Sequence, residues 1–161
     1  MAAKHKTHDI SGEEELELWI LISRVRKELL VASDRELRRF GLSSVQMGIL
    51  HALYKARQSG VLPNLSDLSR WVIRQHNTVS VMLTSMEKRG LVQLERSSQK
   101  RSVRISITDK GYDLYEEVMG KRKAVLGILG SLSPKEREKL RDLLTKMDQK
   151  ARDILLKVSF P

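Results

Sequence analysis

The chain has 161 residues, enough for one domain with a core of its own. It contains no cysteine, which excludes disulfides, thiolate metal ligands and a thiol redox sensor. A net charge of +10 points to a polyanionic partner, and an aromatic share of 4% favours aliphatic helix packing over a β-sandwich.

Residues 1–10, MAAKHKTHDI, are polar and basic and read as a disordered tail. They lack the apolar stretch of a signal peptide, and no apolar run is long enough to span a bilayer. The expectation is a cytoplasmic protein without membrane contact. His5, His8 and Asp9 make no metal site, because a structural site needs four convergent ligands. From residue 11 to about 39 the spacing predicts a helix, with Leu16, Ile20, Leu29, Leu30, Ser33 and Leu37 recurring at three and four. In LELWILI (16–22) all but Glu17 are apolar, so greasy side chains point around most of the circumference. Such a helix needs cover on several sides, and a second copy of the chain is a plausible cover.

Gly41 is placed to end that helix. Ser43 and Gln46 form a capping box opening a second helix to about residue 56, with Val45, Ile49 and Leu53 inward. Gly60 and Pro63 mark a loop, and Asn64 caps a short third helix carrying Leu65, Leu68 and Val72. After a link near Arg74, a fourth helix is expected from about 77 to 89. Val79, Met82, Leu83 and Met86 form its buried stripe, and Gly90 stops it. GLVQLERSSQKRSVRISITDKG (90–111) then alternates as two strands, Val92 and Leu94 on one, Val103, Ile105 and Ile107 on the other. Residues 97–101 join them. Thr108 caps a fifth helix, expected to continue through Tyr112, Tyr115 and Val118 to the 126–129 region, where Gly130 breaks it. Ser133, Pro134 and Glu136 combine a capping box with proline at the first helical position. The last helix carries Leu140, Leu143, Met147, Ala151, Ile154 and Val158 as a narrow stripe suited to helix–helix association.

Charge follows this order of elements. Residues 64–104 hold eight cations against three acids, whereas 11–40 hold six against seven. Half of the surplus therefore lies around the hairpin. Two helices joined by a short link, then a basic hairpin, make a winged helix-turn-helix, in which the second helix enters the DNA major groove. The fold class expected is mainly α with a small two-stranded β wing. Residues 41–110 are its DNA-binding region, flanked by long dimerisation helices at 11–40 and 111–161.

On the fourth helix and its approach, Arg74, Gln75, His76, Asn77, Thr78, Ser80, Val81, Thr84 and Ser85 are the candidate recognition surface. At the wing, Arg101 is the candidate for minor-groove insertion, with Arg96, Lys100 and Arg104 on phosphates. Arg104 has an alternative partner in Glu95 across the hairpin. Arg70, Arg74 and Lys88 are secondary phosphate candidates. Trp19, His51, Tyr54, Tyr112 and Tyr115 are amphipathic groups that either line an effector pocket or fill core and interface. No phosphate-binding glycine loop, metal spacing or nucleophile–base pair stands out, so neither enzymatic activity nor a cofactor is expected.

Residues 42–111 resemble the winged-helix core of the MarR family of transcriptional regulators. The matching pieces are LSSVQMGILHAL, NTVSVMLTSMEKRGLV and QKRSVRISITDKG, and the long flanking helices match the family's layout. The resemblance implies a regulator, in most cases a repressor, working as an obligate homodimer with its first, fifth and last helices intertwined. It also implies a pseudo-palindromic operator and often a small ligand that weakens DNA binding from a pocket between dimerisation and DNA-binding parts. Two residues depart from the family pattern: Gln99 stands where an acid usually precedes the tip arginine, and Val81 where the recognition helix often has arginine. The second departure suggests base reading through neutral groups or the thymine methyl. Two other functions compete, a winged-helix scaffold for protein–protein contact and a non-specific architectural DNA binder.

Overall fold

The computed structural model describes residues 12–96 and 103–157. The elements in chain order are α1 (Glu13–Leu37), α2 (Ser44–Gln58), α3 (Leu65–Trp71), α4 (His76–Lys88), β1 (Val92–Arg96), β2 (Val103–Ile107), α5 (Asp109–Lys121), α6 (Ala124–Gly130) and α7 (Pro134–Lys157). They fall into two compact units, the first ending at Arg122 and the second starting at Lys123. The tail at 1–10, the hairpin tip with Gln99, Lys100 and Arg101, and Val158 lie outside the described residues.

Local chemistry sets the helix ends in the first unit. Ser43 Oγ accepts from the Gln46 amide at 3.2 Å, and Gln46 Oε1 accepts from the Ser43 amide at 2.9 Å. Asn64 and Asp67 repeat the exchange at 3.0 and 3.1 Å at the start of α3. Each pair satisfies two amides that a helix leaves without an internal partner. At the other ends, Gly60 after α2 and Gly90 after α4 take φ of 66° and 72°. In this left-handed conformation the next amides, Val61 and Leu91, fold back to the carbonyls of Ala56 and Met86, both at 2.9 Å.

The core is aliphatic. Leu37, Ile49, Leu50 and Leu53 meet Leu68, Val79, Leu83, Met86 and the hairpin's Ile105, with Tyr115 and Val118 closing it from α5. The antiparallel register sets Val92 opposite Ile107 and Leu94 opposite Ile105, so the apolar side of each strand faces this core. On its other edge β2 gains a second neighbour: the Ile105 amide donates to Pro63 at 2.9 Å, beside a bridge between Asn64 and Arg104. The stem of the hairpin is thus held from both sides. Its root is held as well. Thr108 Oγ1 accepts from the Gly111 amide at 3.0 Å and donates to the Gly90 carbonyl at 2.6 Å. Gly111 passes so close that a Cβ there would lie 2.0 Å from the Leu91 carbonyl oxygen.

The expected fifth helix is divided. α5 ends at Lys121, because Arg122 adopts an extended conformation (φ −73°, ψ 111°), and a separate α6 ends at Gly130. The reason is a mostly buried polar cluster against α1. Arg122 Nη2 donates to Ser33 Oγ at 2.8 Å, and its Nε lies 3.8 Å from the Glu36 carboxylate. Ser33 also meets the Ser44 hydroxyl at 3.2 Å, and Ser44 binds Asp34 through its hydroxyl and its amide. Burial of polar groups there is costly without partners, and Arg122 brings a donor to Ser33 and a charge beside Glu36.

In the second unit, α7 starts with the anticipated capping box, the Ser133 amide donating to Glu136 Oε2 at 2.8 Å. Hydrogen bonding with the Ser133 side chain first, and with its amide second, holds the Glu136 carboxyl below its ordinary range. Leu140, Leu143, Met147 and Ile154 on α7 are exposed in the single chain, as are Leu16, Trp19 and Ile20 on α1. No helix among the described residues is long and apolar enough to cross a membrane.

Candidate nucleic-acid interface

The turn between α3 and α4 sets how α4 is presented. The Arg74 amide reaches back to the Ser69 carbonyl at 2.9 Å and the Ile73 amide to Arg70 at 3.4 Å, a Schellman closure that folds α4 sharply away from α3. Glu87 Oε1, near the end of α4, accepts the Leu94 amide at 3.3 Å and so ties the helix to β1. Arg89, just beyond α4, donates to the carbonyls of Gly41 (2.7 Å) and Phe40 (3.2 Å). With Val79, Leu83 and Met86 buried, the opposite face is left to water: Gln75, His76, Asn77, Thr78, Ser80, Val81, Thr84, Ser85 and Lys88 are all exposed. His76, Asn77, Thr78, Ser80, Val81, Thr84 and Ser85 are the residues that the sequence places on the outward side, and a buried stripe at helical spacing is sufficient to do so.

The cations divide by what they touch. Arg70 is exposed but paired with Asp67 at 2.9 Å, and Arg74 Nη1 donates to the Ile73 carbonyl at 3.0 Å. Arg104 stands opposite Glu95 in the register, yet its Nη1 donates to the Leu62 carbonyl at 2.9 Å. It braces the loop that leads into α3, a role its sequence context did not suggest. Arg96 lies at the end of β1, on the strand that leads to the tip.

A winged helix DNA-binding domain family matches residues 42–111. The HTH-type transcriptional repressor MdtR of Bacillus subtilis is 24% identical over 144 residues, covering 88% of each chain. A Staphylococcus aureus MepR–DNA complex superposes with a TM-score of 0.69 at 26% identity, over 81% of this chain and 96% of that one. AbsC, a MarR family regulator from Streptomyces coelicolor, gives a TM-score of 0.75 at 22% identity, over 88% and 96%. Residues 42–111 are a winged helix DNA-binding domain, and the chain has the fold seen in MarR family regulators.

The five residues that the sequence offers for an effector pocket separate into two places. Tyr54 lies 4.4 Å from Tyr115 and 5.0 Å from Tyr112, centroid to centroid, and His51 Nδ1 is 2.7 Å from the Tyr115 hydroxyl. Arg57 covers Tyr112 at 4.9 Å and pairs with Asp109 at 3.0 Å. These rings pack on one another between α2 and α5. The hydrogen bond to Tyr54, with burial and the nearby Glu116 adding to it, pushes the Tyr112 hydroxyl up to about 12. Trp19 is outside the cluster, on the exposed side of α1. His51 alone of the five also borders a cleft of about 730 Å³. α1 contributes Arg26 and Leu30 to its wall, α2 contributes Gly48, Ala52 and Lys55, and the α3–α4 turn contributes Trp71, Ile73 and Arg74. Arg26 and Lys55 were missed because each reads, in sequence, as one more cation on an amphipathic helix.

Proposed function

We propose that this protein is a transcriptional regulator that binds a pseudo-palindromic operator as a homodimer and represses transcription there. Its recognition surface runs from Arg74 to Ser85, with phosphate contacts from Arg70, Lys88, Arg96, Arg104 and the tip residues Lys100 and Arg101. One observation carries the reading. α4 turns out a continuous face free of acids, Glu87 being engaged with Leu94, directly beside a hairpin stem that the core and the Pro63 loop hold in place. A rigid helix flanked by a finger suits a groove and the backbone next to it. The homodimer is supported by the apolar residues of α1 and α7 that stay exposed in one copy. The domains follow: dimerisation helices at 11–40 and 111–161 around the DNA-binding region 41–110. The protein works in the cytoplasm, without catalysis and without a cofactor.

Fluorescence anisotropy on the promoter beside its own gene, against random duplex of equal length, tests this. At least a hundredfold preference is expected, with sedimentation giving two chains per operator. Equal affinity for both duplexes means an architectural binder, and no affinity for either means a scaffold.

A small effector is the second element. The cleft at His51 supports it, because three cations (Arg26, Lys55 and Arg74) stand around apolar walls, a lining that suits an amphipathic anion. Arg74 leads directly into α4, so a molecule held there alters the angle of the reading helix. Titrating a panel of aromatic and aliphatic carboxylates against the preformed protein–operator complex tests it; release by none removes this element and leaves DNA binding standing.

A further inference from the structure

The middle of α4 lacks the group that reads guanine. Asn77, Val81 and Thr84, four and three residues apart, form the line farthest from the buried Val79, Leu83 and Met86. No lysine or arginine lies between His76 and Ser85. His76 stands about 100° around the helix from Asn77, and Lys88 continues the line one turn, about 6 Å, beyond Thr84, at the end of the helix away from Asn77. Guanine is recognised chiefly by a paired donor from arginine or lysine to O6 and N7, and the stretch from His76 to Ser85 offers none.

What it offers instead has its own preference. Val81 is 71% exposed, an apolar branched side chain held in water at the centre of a polar face. Thr84 donates its hydroxyl proton to the Ser80 carbonyl at 3.1 Å, which leaves its methyl as the free end. Asn77 is exposed and makes no side-chain hydrogen bond with another described residue, so both its donor and its acceptor are available. We propose that α4 reads A·T pairs: Asn77 pairs with an adenine through N6 and N7, and the methyls of Val81 and Thr84 pack on thymine C5-methyl groups. The inference rests on the DNA-binding reading above and adds the base composition under the helix. Discrimination then comes from shape and desolvation at the methyls, while the surrounding cations supply charge without sequence preference.

Selection from a random duplex pool with the full-length protein, followed by resynthesis of the selected site with deoxyuridine for thymidine, tests this. The exchange removes only the C5-methyl. Selected half-sites are expected to carry A·T pairs under the centre of α4, and a uracil in contact with Val81 is expected to weaken binding about fourfold. Val81→Ala, a surface change that leaves the core intact, is expected to bind the thymine and uracil duplexes equally at that position. G·C pairs under α4, or equal binding of thymine and uracil duplexes by the unaltered protein, overturns the inference while operator binding stands. No enrichment of any sequence overturns the operator reading and this inference with it.

Discussion

The amide of Arg74 lies 2.9 Å from the carbonyl of Ser69, and the residue that turns the chain between them is Ile73, at φ 52°. The corresponding positions after α2 and α4 are Gly60 and Gly90. A β-branched side chain in the left-handed region costs about 1–2 kcal/mol. Ile73 is 75% exposed, so little packing offsets that cost. Ile73→Gly should therefore stabilise the protein by up to about 1 kcal/mol, after the entropy glycine adds to the unfolded chain. The expected rise in Tm is about 2–4 °C by circular dichroism. A fall would mean that the side chain's contacts at the cleft outweigh the backbone strain.

Gly111 and Gly120 sit on the same helix and should respond oppositely to alanine. At Gly111 the new methyl meets the Leu91 carbonyl at 2.0 Å, and backbone must move; a loss of about 3 kcal/mol or more is expected. At Gly120 nothing lies within 4 Å, and alanine's helix preference should add a few tenths of a kcal/mol, up to about 1. Urea melts of the two variants separate these outcomes, and a tolerated Gly111→Ala would show that α5 can lift away from the hairpin root.

His51 supplies a pH dependence. Burial first, and the neighbouring Lys55 second, lower its pKa from the ordinary 6.5. At pH 7.5 the imidazole is neutral in both states. As pH falls through 6.5 the unfolded chain takes up the proton first, so stability drops, and the loss levels off below the folded value. His51→Gln should give a shallower fall in denaturation midpoint between pH 7.5 and 5.5 than the parent. A parallel fall would show that burial and Lys55 do not disfavour the charged ring in the folded protein.

Salt should act steeply on DNA affinity. With about four phosphate contacts per subunit, a dimer releases about eight counterions, for a log–log slope near −7. Tripling the salt should then weaken operator binding on the order of a thousandfold. Anisotropy titrations at several potassium chloride concentrations measure the slope; one shallower than about −3 would leave most of the cations near α4 and the hairpin without a phosphate partner.

Much of the architecture is legible in the sequence because it is decided locally. Ser43 with Gln46, Asn64 with Asp67, and the glycines at 41, 60 and 90 each fix an end within a few residues. The outward side of α4 follows from three buried positions at helical spacing. Features made by distant pairs are not legible. Nothing around Arg122 announces that it will leave α5 to meet Ser33 and Glu36, and nothing around Arg104 announces the Leu62 carbonyl. The grouping of His51 with the tyrosines likewise depends on α2 lying against α5, which brings residues 64 positions apart within 2.7 Å. Ile73 is a further case: its side chain favours a strand, and the bonds of the turn override it.

The hairpin root described above has an engineering consequence. Thr108 is bonded to both Gly90 and Leu91, and Ile105 to Pro63, so the stem is fastened independently of whatever joins Arg96 to Val103. A connecting sequence of another length or charge should therefore be accepted between those two positions, which would make this protein a chassis on which backbone grip and base preference are varied separately.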